Sequence, residues 1–210
     1  MNKSMNLKTV FFIFVLCISS KLIYSQTPYI KDRLNFKSGI SFYPQRSEND
    51  SKPINLRIEA NYGFWGLLEA GVYLGIARFT YWTPMENNSR TALKSFSPFY
   101  GIQTNFHLLP LFIKKNDFRF DLYLTGKYGG NYLNIPKGSD PQPGHHTEYG
   151  FGGGFAFYLW KHTGFYTEYS IGKYSYYVAP MGFEFENGLN PNLRFGVTFK
   201  FKNQPHNKTK

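Results

Sequence analysis

The sequence predicts an all-β protein, an eight-stranded antiparallel up-and-down transmembrane β-barrel with long extracellular loops and short periplasmic turns. Three observations predict it: an export signal, segments that alternate apolar and polar residues, and long connections that alternate with short ones. The barrel is assigned to residues 26–202, between a signal peptide at 1–25 and a basic polar C-terminal tail at 203–210.

The first element is the export signal. Basic MNKSMNLK precedes the apolar run TVFFIFVLCISS, and LIYSQ then places the small residue Ser25 before a cleavage site. The apolar run is too short for a good membrane-spanning helix. Cys17 is the only cysteine and leaves with the signal, which excludes disulfide-stapled scaffolds and cysteine-ligated metal sites.

The composition of the chain is typical of a membrane barrel. It has 22 Phe, 17 Tyr and 20 Gly, yet its mean hydropathy is −0.39, as expected where each segment is only half apolar. The net charge of +11 falls to +8 when Lys3, Lys8 and Lys21 leave with the signal. For an exported protein this charge favours anionic lipid over nucleic acid as a partner.

Strands follow from strict alternation of apolar and polar residues. In NLRFGVTFKF the apolar residues from Leu193 to Phe201 share one face, and Arg194, Thr198 and Lys200 share the other. LNFKSGISFY, INLRIEANY and DFRFDLYLTGKY alternate in the same way. The predicted strands are 34–43, 54–63, 67–79, 96–108, 117–128, 148–160, 164–174 and 192–202.

The connections alternate in length. YPQRSENDSKP, TYWTPMENNSRTALKS, GGNYLNIPKGSDPQPGHHT and SYYVAPMGFEFENGLNP are long, whereas GFWG, LPLFIKKN and KHT are shorter. Trp65 and Trp160 lie at short turns, and Trp82 lies at the start of a long loop, where interfacial aromatic girdles are found. We therefore expect the long loops outside the cell and the short turns in the periplasm.

The glycine-rich stretch YGFGGGFAFYLW lacks the spacing of a nucleotide-binding loop and is interpreted as a strand. Its small residues face inward and leave room in the lumen for large side chains of the neighbouring strands. The small residues are Gly150, Gly152, Gly154 and Ala156, and the large ones are Tyr123, Lys127 and Tyr166. Gly153 faces lipid, where a bulge or bend is expected.

The whole mature chain resembles a small eight-stranded outer-membrane β-barrel protein of the OmpA/OmpX type, including the Bacteroidetes-type outer-membrane barrels. The resemblance lies in MNKSMNLKTVFFIFVLCISSKLIYSQ and in the alternating strands through NLRFGVTFKF. It implies residence in the outer membrane, contact with lipids including lipopolysaccharide, and insertion by the barrel assembly machinery. Such proteins commonly end on an aromatic residue of the last strand, which assists recognition by the insertion machinery. Here KNQPHNKTK follows Phe201. Either recognition uses an internal aromatic residue, or the insertion machinery recognises the last strand in another way.

A soluble lipocalin-type barrel is the structural alternative. There the apolar face would line a ligand cavity, and Arg57, Glu59 and Arg119 would face water. The alternating connection lengths and the aromatic residues at strand ends favour the membrane barrel.

The polar faces predict an ion-pair cluster that plugs the periplasmic half of the lumen, because buried charges need partners. Its members are Lys37, Arg57, Glu59, Glu69, His107, Arg119, Asp121, Glu168 and Lys200. A functional alternative is a carboxylate pair of Glu59 and Glu69, which flank a short turn and could share a proton. Structural filling is favoured, because small barrels need it in any case.

No catalytic, cofactor or metal site is expected. Lipid A deacylases resemble this chain in size and fold, and they carry a His-x-Ser pair. Serine does not stand two places after any histidine here, namely His107, His145, His146, His162 and His206. His145 and His146 lie in a loop rich in glycine and proline and are interpreted as solvated.

The function predicted from the sequence is a non-enzymatic outer-membrane barrel that serves envelope integrity or surface contact. Tyr176, Tyr177, Phe183 and Phe185 form a candidate contact surface on the last long loop, or else cover one another in an extended hairpin. A narrow conduit for small hydrophobic solutes or protons, and an accessory barrel of a secretion or assembly system, are alternatives. A lipid-A-modifying enzyme is disfavoured by the missing His-x-Ser.

Overall fold

Eight strands close into a single antiparallel barrel in which each strand pairs with the next and β8 pairs with β1. The computed structural model describes residues 30–42, 55–84, 90–112, 119–139, 142–173 and 189–202. The elements are β1 (Arg33–Phe42), β2 (Asn55–Gly63), β3 (Leu68–Pro84), β4 (Arg90–His107), α1 (Leu109–Phe112), β5 (Phe120–Leu133), β6 (Gly144–Tyr158), β7 (Thr163–Lys173) and β8 (Asn190–Lys202). The predicted all-β fold, a closed eight-stranded antiparallel barrel, is confirmed.

Several predictions fall on residues that the structure does not describe. The signal peptide at 1–25, the tail at 203–210 and the contact surface of Tyr176, Tyr177, Phe183 and Phe185 lie outside the described ranges. Within those ranges, none of the helices has the length and apolar character needed to cross a membrane.

The β3–β4 and β5–β6 hairpins are longer than the alternation predicted. β3 continues to Pro84 and β4 begins at Arg90, so most of TYWTPMENNSRTALKS is paired strand and Trp82 lies inside β3. The prediction read this polar segment as a loop. The pairing extends because inward apolar side chains at this end of the barrel pack on one another, and they are Ala77, Phe79, Tyr81, Phe99, Leu133 and Ile135.

The barrel is apolar outside and polar inside. Ile58, Leu74 and Ile102 face outward and are 54%, 57% and 60% exposed. The charged and amide side chains that alternate with these apolar residues along the strands point inward and are buried. A soluble lipocalin-type barrel would place its apolar face around a cavity, so the structure excludes that alternative. The outward face matches the hydrocarbon of a bilayer.

Small residues of β6 make room for one large ring, as predicted. Gly154 pairs with Tyr123 across β5–β6, and a Cβ atom at Gly154 would overlap the Tyr123 ring. Tyr166 pairs with Ala156, and its hydroxyl lies against Gly39 of β1. The register of β6 continues without an extra residue through Gly153, so the predicted bulge is wrong.

The chain before β1 crosses the end of the barrel at which β1 begins and β8 ends, called here the terminal end. Ile30 is fully buried there, and the Asp32 N–H donates to the Gly63 carbonyl over 2.7 Å. Asp32 has a φ of 62°, which turns the chain into β1, and its Oδ1 accepts a hydrogen bond from Tyr62. A Cβ atom at Gly63 would overlap the Ile30 carbonyl, so this closure requires glycine.

Replacing Gly63 with valine should therefore destabilise the barrel by about 1–3 kcal/mol, because overpacking forces the Ile30 segment away from the terminal end. The measurement is the urea unfolding midpoint of protein refolded in micelles. Gly126→Val is the matched control, since the nearest atom to a Cβ at Gly126 is Thr104 Oγ1 at 3.5 Å. Equal losses in both variants would contradict the proposed closure.

Candidate functional site

The interior of the described barrel is filled with buried charges of both signs. The buried cations are Arg33, Lys37, Arg57, Lys127 and Arg194, and the buried carboxylates are Glu59, Glu69, Asp121, Glu148 and Glu168. Charges removed from water are tolerated when they are paired and hydrogen-bonded. The ion pairs of these residues form two groups, one at the terminal end and one in the middle of the lumen.

The terminal group consists of Arg33, Glu69, His107 and Asp121. Arg33 donates from Nε to Glu69 Oε1 over 2.6 Å and from Nη2 to Asp121 Oδ2 over 2.9 Å. His107 contacts Asp121 Oδ1 through Nδ1 at 2.7 Å and Glu69 Oε2 through Nε2 at 3.2 Å. Each carboxylate is therefore held by both the guanidinium and the imidazole.

This terminal group ties together strands that are not neighbours. Its residues stand at the ends of β1, β3, β4 and β5, where alternation turns each of them inward. Asn35 extends the group, since its Nδ2 donates to Glu69 Oε2 over 3.3 Å and its Oδ1 accepts from Thr198 of β8 over 2.8 Å. The group therefore closes the lumen above the buried Ile30.

The middle group is centred on Glu59. Its Oε1 atom contacts Arg57 Nε at 2.8 Å and Arg194 Nη1 at 2.6 Å, and its Oε2 accepts from Gln103 Nε2 over 2.7 Å. Arg57 also donates to Gln103 Oε1 over 2.5 Å and lies 3.5 Å above the Tyr73 ring. Both oxygens of Glu59 are therefore engaged.

Glu168 is the second carboxylate of the middle group. It pairs with Lys127 and lies 3.3 Å from Arg194 Nη1, which thus bridges Glu168 and Glu59. Its other oxygen faces the Tyr123 hydroxyl at 3.5 Å. Through these contacts the middle group joins β2, β4, β5, β7 and β8 across the lumen.

Most residues of the predicted cluster lie inside the barrel. Lys37, Arg57, Glu59, Glu69, His107, Asp121 and Glu168 are buried in the lumen. Arg119 is exposed instead, because β5 begins one residue later and the alternation of the strand does not reach it. Lys200 is half-buried, with its Nζ 3.9 Å from the Tyr158 ring centroid.

Three paired cations were absent from the predicted cluster. Lys127 and Arg194 lie on the polar faces that alternation identified, so the signal was present, but the cluster was restricted to the periplasmic half. Arg33 stands one residue before the predicted start of the first strand. Long side chains extend along the lumen, so charged residues farther from the terminal end join the same ion-pair network.

The proposed carboxylate pair of Glu59 and Glu69 does not form. Glu59 pairs with Tyr73 in the β2–β3 register, whereas Glu69 pairs with Gly63. Glu59 belongs to the middle group and Glu69 to the terminal group, each neutralised by its own cations. The two carboxylates are therefore not arranged to share a proton.

The other described histidines lie on the outside or rim of the barrel. His145 Nε2 lies 2.9 Å from the Tyr100 hydroxyl, and His146 Nε2 lies 2.8 Å from the Gln142 carbonyl oxygen. The His162 ring stacks on Phe201 with centroids 5.8 Å apart. In the described part of the chain, no three His, Cys, Asp or Glu side chains are placed to hold a metal ion.

The closed ring of eight strands, the lipid-facing apolar exterior and the charged interior define the class of the protein. It is an eight-stranded transmembrane β-barrel of the outer-membrane type. The lumen contains packed side chains in place of a water-filled channel, as expected at this strand number.

Solved outer-membrane barrels are similar in architecture. The N-terminal barrel domain of Pseudomonas aeruginosa OprF has 12% identity and a TM-score of 0.49, covering 81% of this chain and 98% of that chain. Neisserial surface protein A has 13% identity and a TM-score of 0.48, covering 80% and 96%. OprG of Pseudomonas aeruginosa has 10% identity and a TM-score of 0.48, covering 82% and 97%.

These similarities carry no information on function at such identities and scores, and the membrane barrel follows from the chain's own geometry. No protein-family model matches the chain, and no curated protein sequence matches it.

Replacing Glu59 with glutamine should destabilise the barrel by about 3–5 kcal/mol, since Arg57 and Arg194 would both lose their shared buried carboxylate. The unfolding midpoint in urea measures the loss, and circular dichroism checks that the strands form. Lys137→Gln changes an exposed charge and should shift stability by about 0.5 kcal/mol or less. A Glu59 variant as stable as the control would show that the middle group does not stabilise the fold.

Proposed function

We propose that the protein is a non-enzymatic outer-membrane barrel with a closed lumen that contributes to the integrity of the cell envelope. The observation that carries this proposal is the pair of buried ion-pair groups, which link facing strands and fill the interior. An eight-stranded barrel has room for little more than its own side chains. The barrel therefore acts as a rigid, membrane-anchored element.

The packing of the lumen argues against a conduit for solutes. The Tyr123 ring lies 5.7 Å from the His107 ring and separates the terminal group from the middle group. Opening a path would require breaking buried ion pairs, and losing one partner of such a pair costs about 3–5 kcal/mol. A conduit is therefore the less favoured function.

The state of the carboxylates supports a non-enzymatic role. Glu59, Glu69, Asp121 and Glu168 are each held by cations inside the lumen, away from any bound substrate outside the barrel. General acid–base catalysis requires a titratable group within hydrogen-bond reach of the reacting atoms. These acids are placed for structural pairing.

The outer surface of the described barrel carries a net positive charge. Among the described side chains, the carboxylates are buried apart from half-buried Asp32, whereas seven cations are exposed. The exposed cations are Lys31, Arg78, Lys94, Arg119, Lys137, Lys161 and Lys173.

These exposed cations lie near both ends of the apolar belt, where lipid headgroups are found. Arg78 and Lys94 lie on the paired β3 and β4 strands, offset by two residues in the ladder, since Arg78 pairs with Phe96 and Thr80 pairs with Lys94. Lys or Arg near an anionic surface contributes about 1 kcal/mol each. We infer that anionic phosphorylated lipids, including lipopolysaccharide, are the membrane partner, and that the barrel assembly machinery inserts the chain.

Planar-bilayer recording tests the closed lumen. The wild-type barrel should give no discrete conductance steps at moderate voltage, because the two groups obstruct the path of ions. Glu59→Gln and Glu168→Gln together remove the middle carboxylates and serve as the comparison. Regular steps in the wild-type protein would overturn the closed lumen.

Vesicle refolding tests the lipid partner. Refolding should be faster and more complete in vesicles that contain anionic lipid, and Arg78→Gln with Lys94→Gln should remove part of this advantage, since two headgroup contacts are lost. Lys137→Gln removes a single exposed cation in the β5–β6 connection, so it should remove a smaller part of the advantage than the double variant does. An unchanged response in the double variant would argue against phosphate contacts at this site.

A further inference from the structure

Lys37 is a buried cation without a hydrogen-bond acceptor. Lys37 is only 2% exposed to solvent, and its Nζ atom makes no hydrogen bond. The Nζ atom lies 3.8 Å from the centroid of the Tyr123 ring and 5.4 Å from that of Tyr166. An ammonium group carries three N–H donors, and contact with ring faces leaves donors unsatisfied.

The nearest carboxylates are already engaged by other cations. Lys37 pairs with Glu59 in the β1–β2 register, but both Glu59 oxygens contact Arg57, Arg194 or Gln103. Glu168 is held by Lys127 and Arg194. Around the middle of the described lumen, the cations Lys37, Arg57, Lys127 and Arg194 outnumber the carboxylates Glu59, Glu148 and Glu168 by one.

The hydrogen bonds of the middle group identify a second unsatisfied donor near Lys37, the side-chain amide of Asn61. Arg57 donates to Gln103 Oε1, so Gln103 Nε2 is the donor to Asn61 Oδ1 over 2.7 Å. This fixes the amide of Asn61 and leaves its Nδ2 as a buried donor without a partner. Asn61 is the next inward residue of β2 after Glu59, the register partner of Lys37.

Two more unsatisfied groups lie on the opposite wall. Asn105 and Thr125 pair directly across β4–β5, and neither the amide of Asn105 nor the hydroxyl of Thr125 has a hydrogen-bond partner. Thr125 is the next inward residue of β5 after Tyr123, whose ring contacts the Lys37 ammonium. Buried polar groups without partners cost about 1–3 kcal/mol each, so a shared acceptor here would stabilise the fold.

We propose that Lys37, Asn61, Asn105 and Thr125 form a binding site for a small monatomic anion of the chloride class. The site offers one cation and several neutral donors, which is the chemistry that a halide requires. Glu59 and Glu168 attract the Lys37 ammonium electrostatically but accept no hydrogen bond from it. A halide supplies both that acceptor and a negative charge for the excess cation, whereas water supplies no charge. The narrow lumen excludes larger polyatomic anions.

The direct test is anomalous diffraction from crystals of protein refolded and crystallised in sodium bromide. Refolding in bromide is necessary because the packed lumen restricts exchange. The expected result is an anomalous peak at hydrogen-bond distance from Lys37 Nζ and the Asn61 amide. A lumen that shows only ordered water, or bromide confined to the outer surface as an adventitious ion only, would overturn the proposal.

A solution test uses protein refolded in sodium chloride or sodium gluconate at matched ionic strength. The wild-type unfolding temperature should rise with chloride in a saturable way, because a ligand that binds only the folded state stabilises it. Lys37→Met should lose this rise, while Lys94→Met, an exposed cation, and Glu148→Gln, a buried carboxylate on β6, should keep it. Equal unfolding temperatures of the wild type in the two salts would contradict the site, whether or not the Lys37 variant folds.

Discussion

The structure depends on one constraint: a closed barrel in hydrocarbon can place its charged side chains only in its own interior. Each strand alternates its faces, so half of its residues must point into the lumen. With eight strands that lumen is narrow, and the inward side chains are forced against one another. Ion pairing inside and an apolar surface outside are therefore two consequences of the same geometry.

The ion pairs add a type of connection that backbone pairing cannot provide. Backbone hydrogen bonds join each strand to its two neighbours, whereas Arg33 joins β1 to β5 and Arg194 joins β8 to β2. Each such contact crosses the barrel interior. Side chains therefore hold the ring in shape from within, which is the basis of the structural role proposed for the protein.

Small and large inward residues complement one another for the same reason. Tyr123 occupies the space beside Gly154, and the Tyr166 hydroxyl lies against Gly39. At any one height the lumen has no room for a bulky side chain on every strand. Glycine or alanine on one strand therefore faces an aromatic ring on another strand. These rings also provide the aromatic faces against which the Lys37 ammonium lies, whereas Arg57 lies over the Tyr73 ring.

The sequence by itself determined the strand number, the inward or outward direction of most strand residues and the membrane class, because alternation is a local property of each strand. It did not determine strand ends, as at Pro84 and Arg90, where packing of distant apolar side chains extends the pairing. It also misplaced Arg119, just outside β5, and omitted Arg33, Lys127 and Arg194. Which charges meet was decided only by the tertiary structure, since the stagger of strands around a closed ring sets the height of each residue in the lumen.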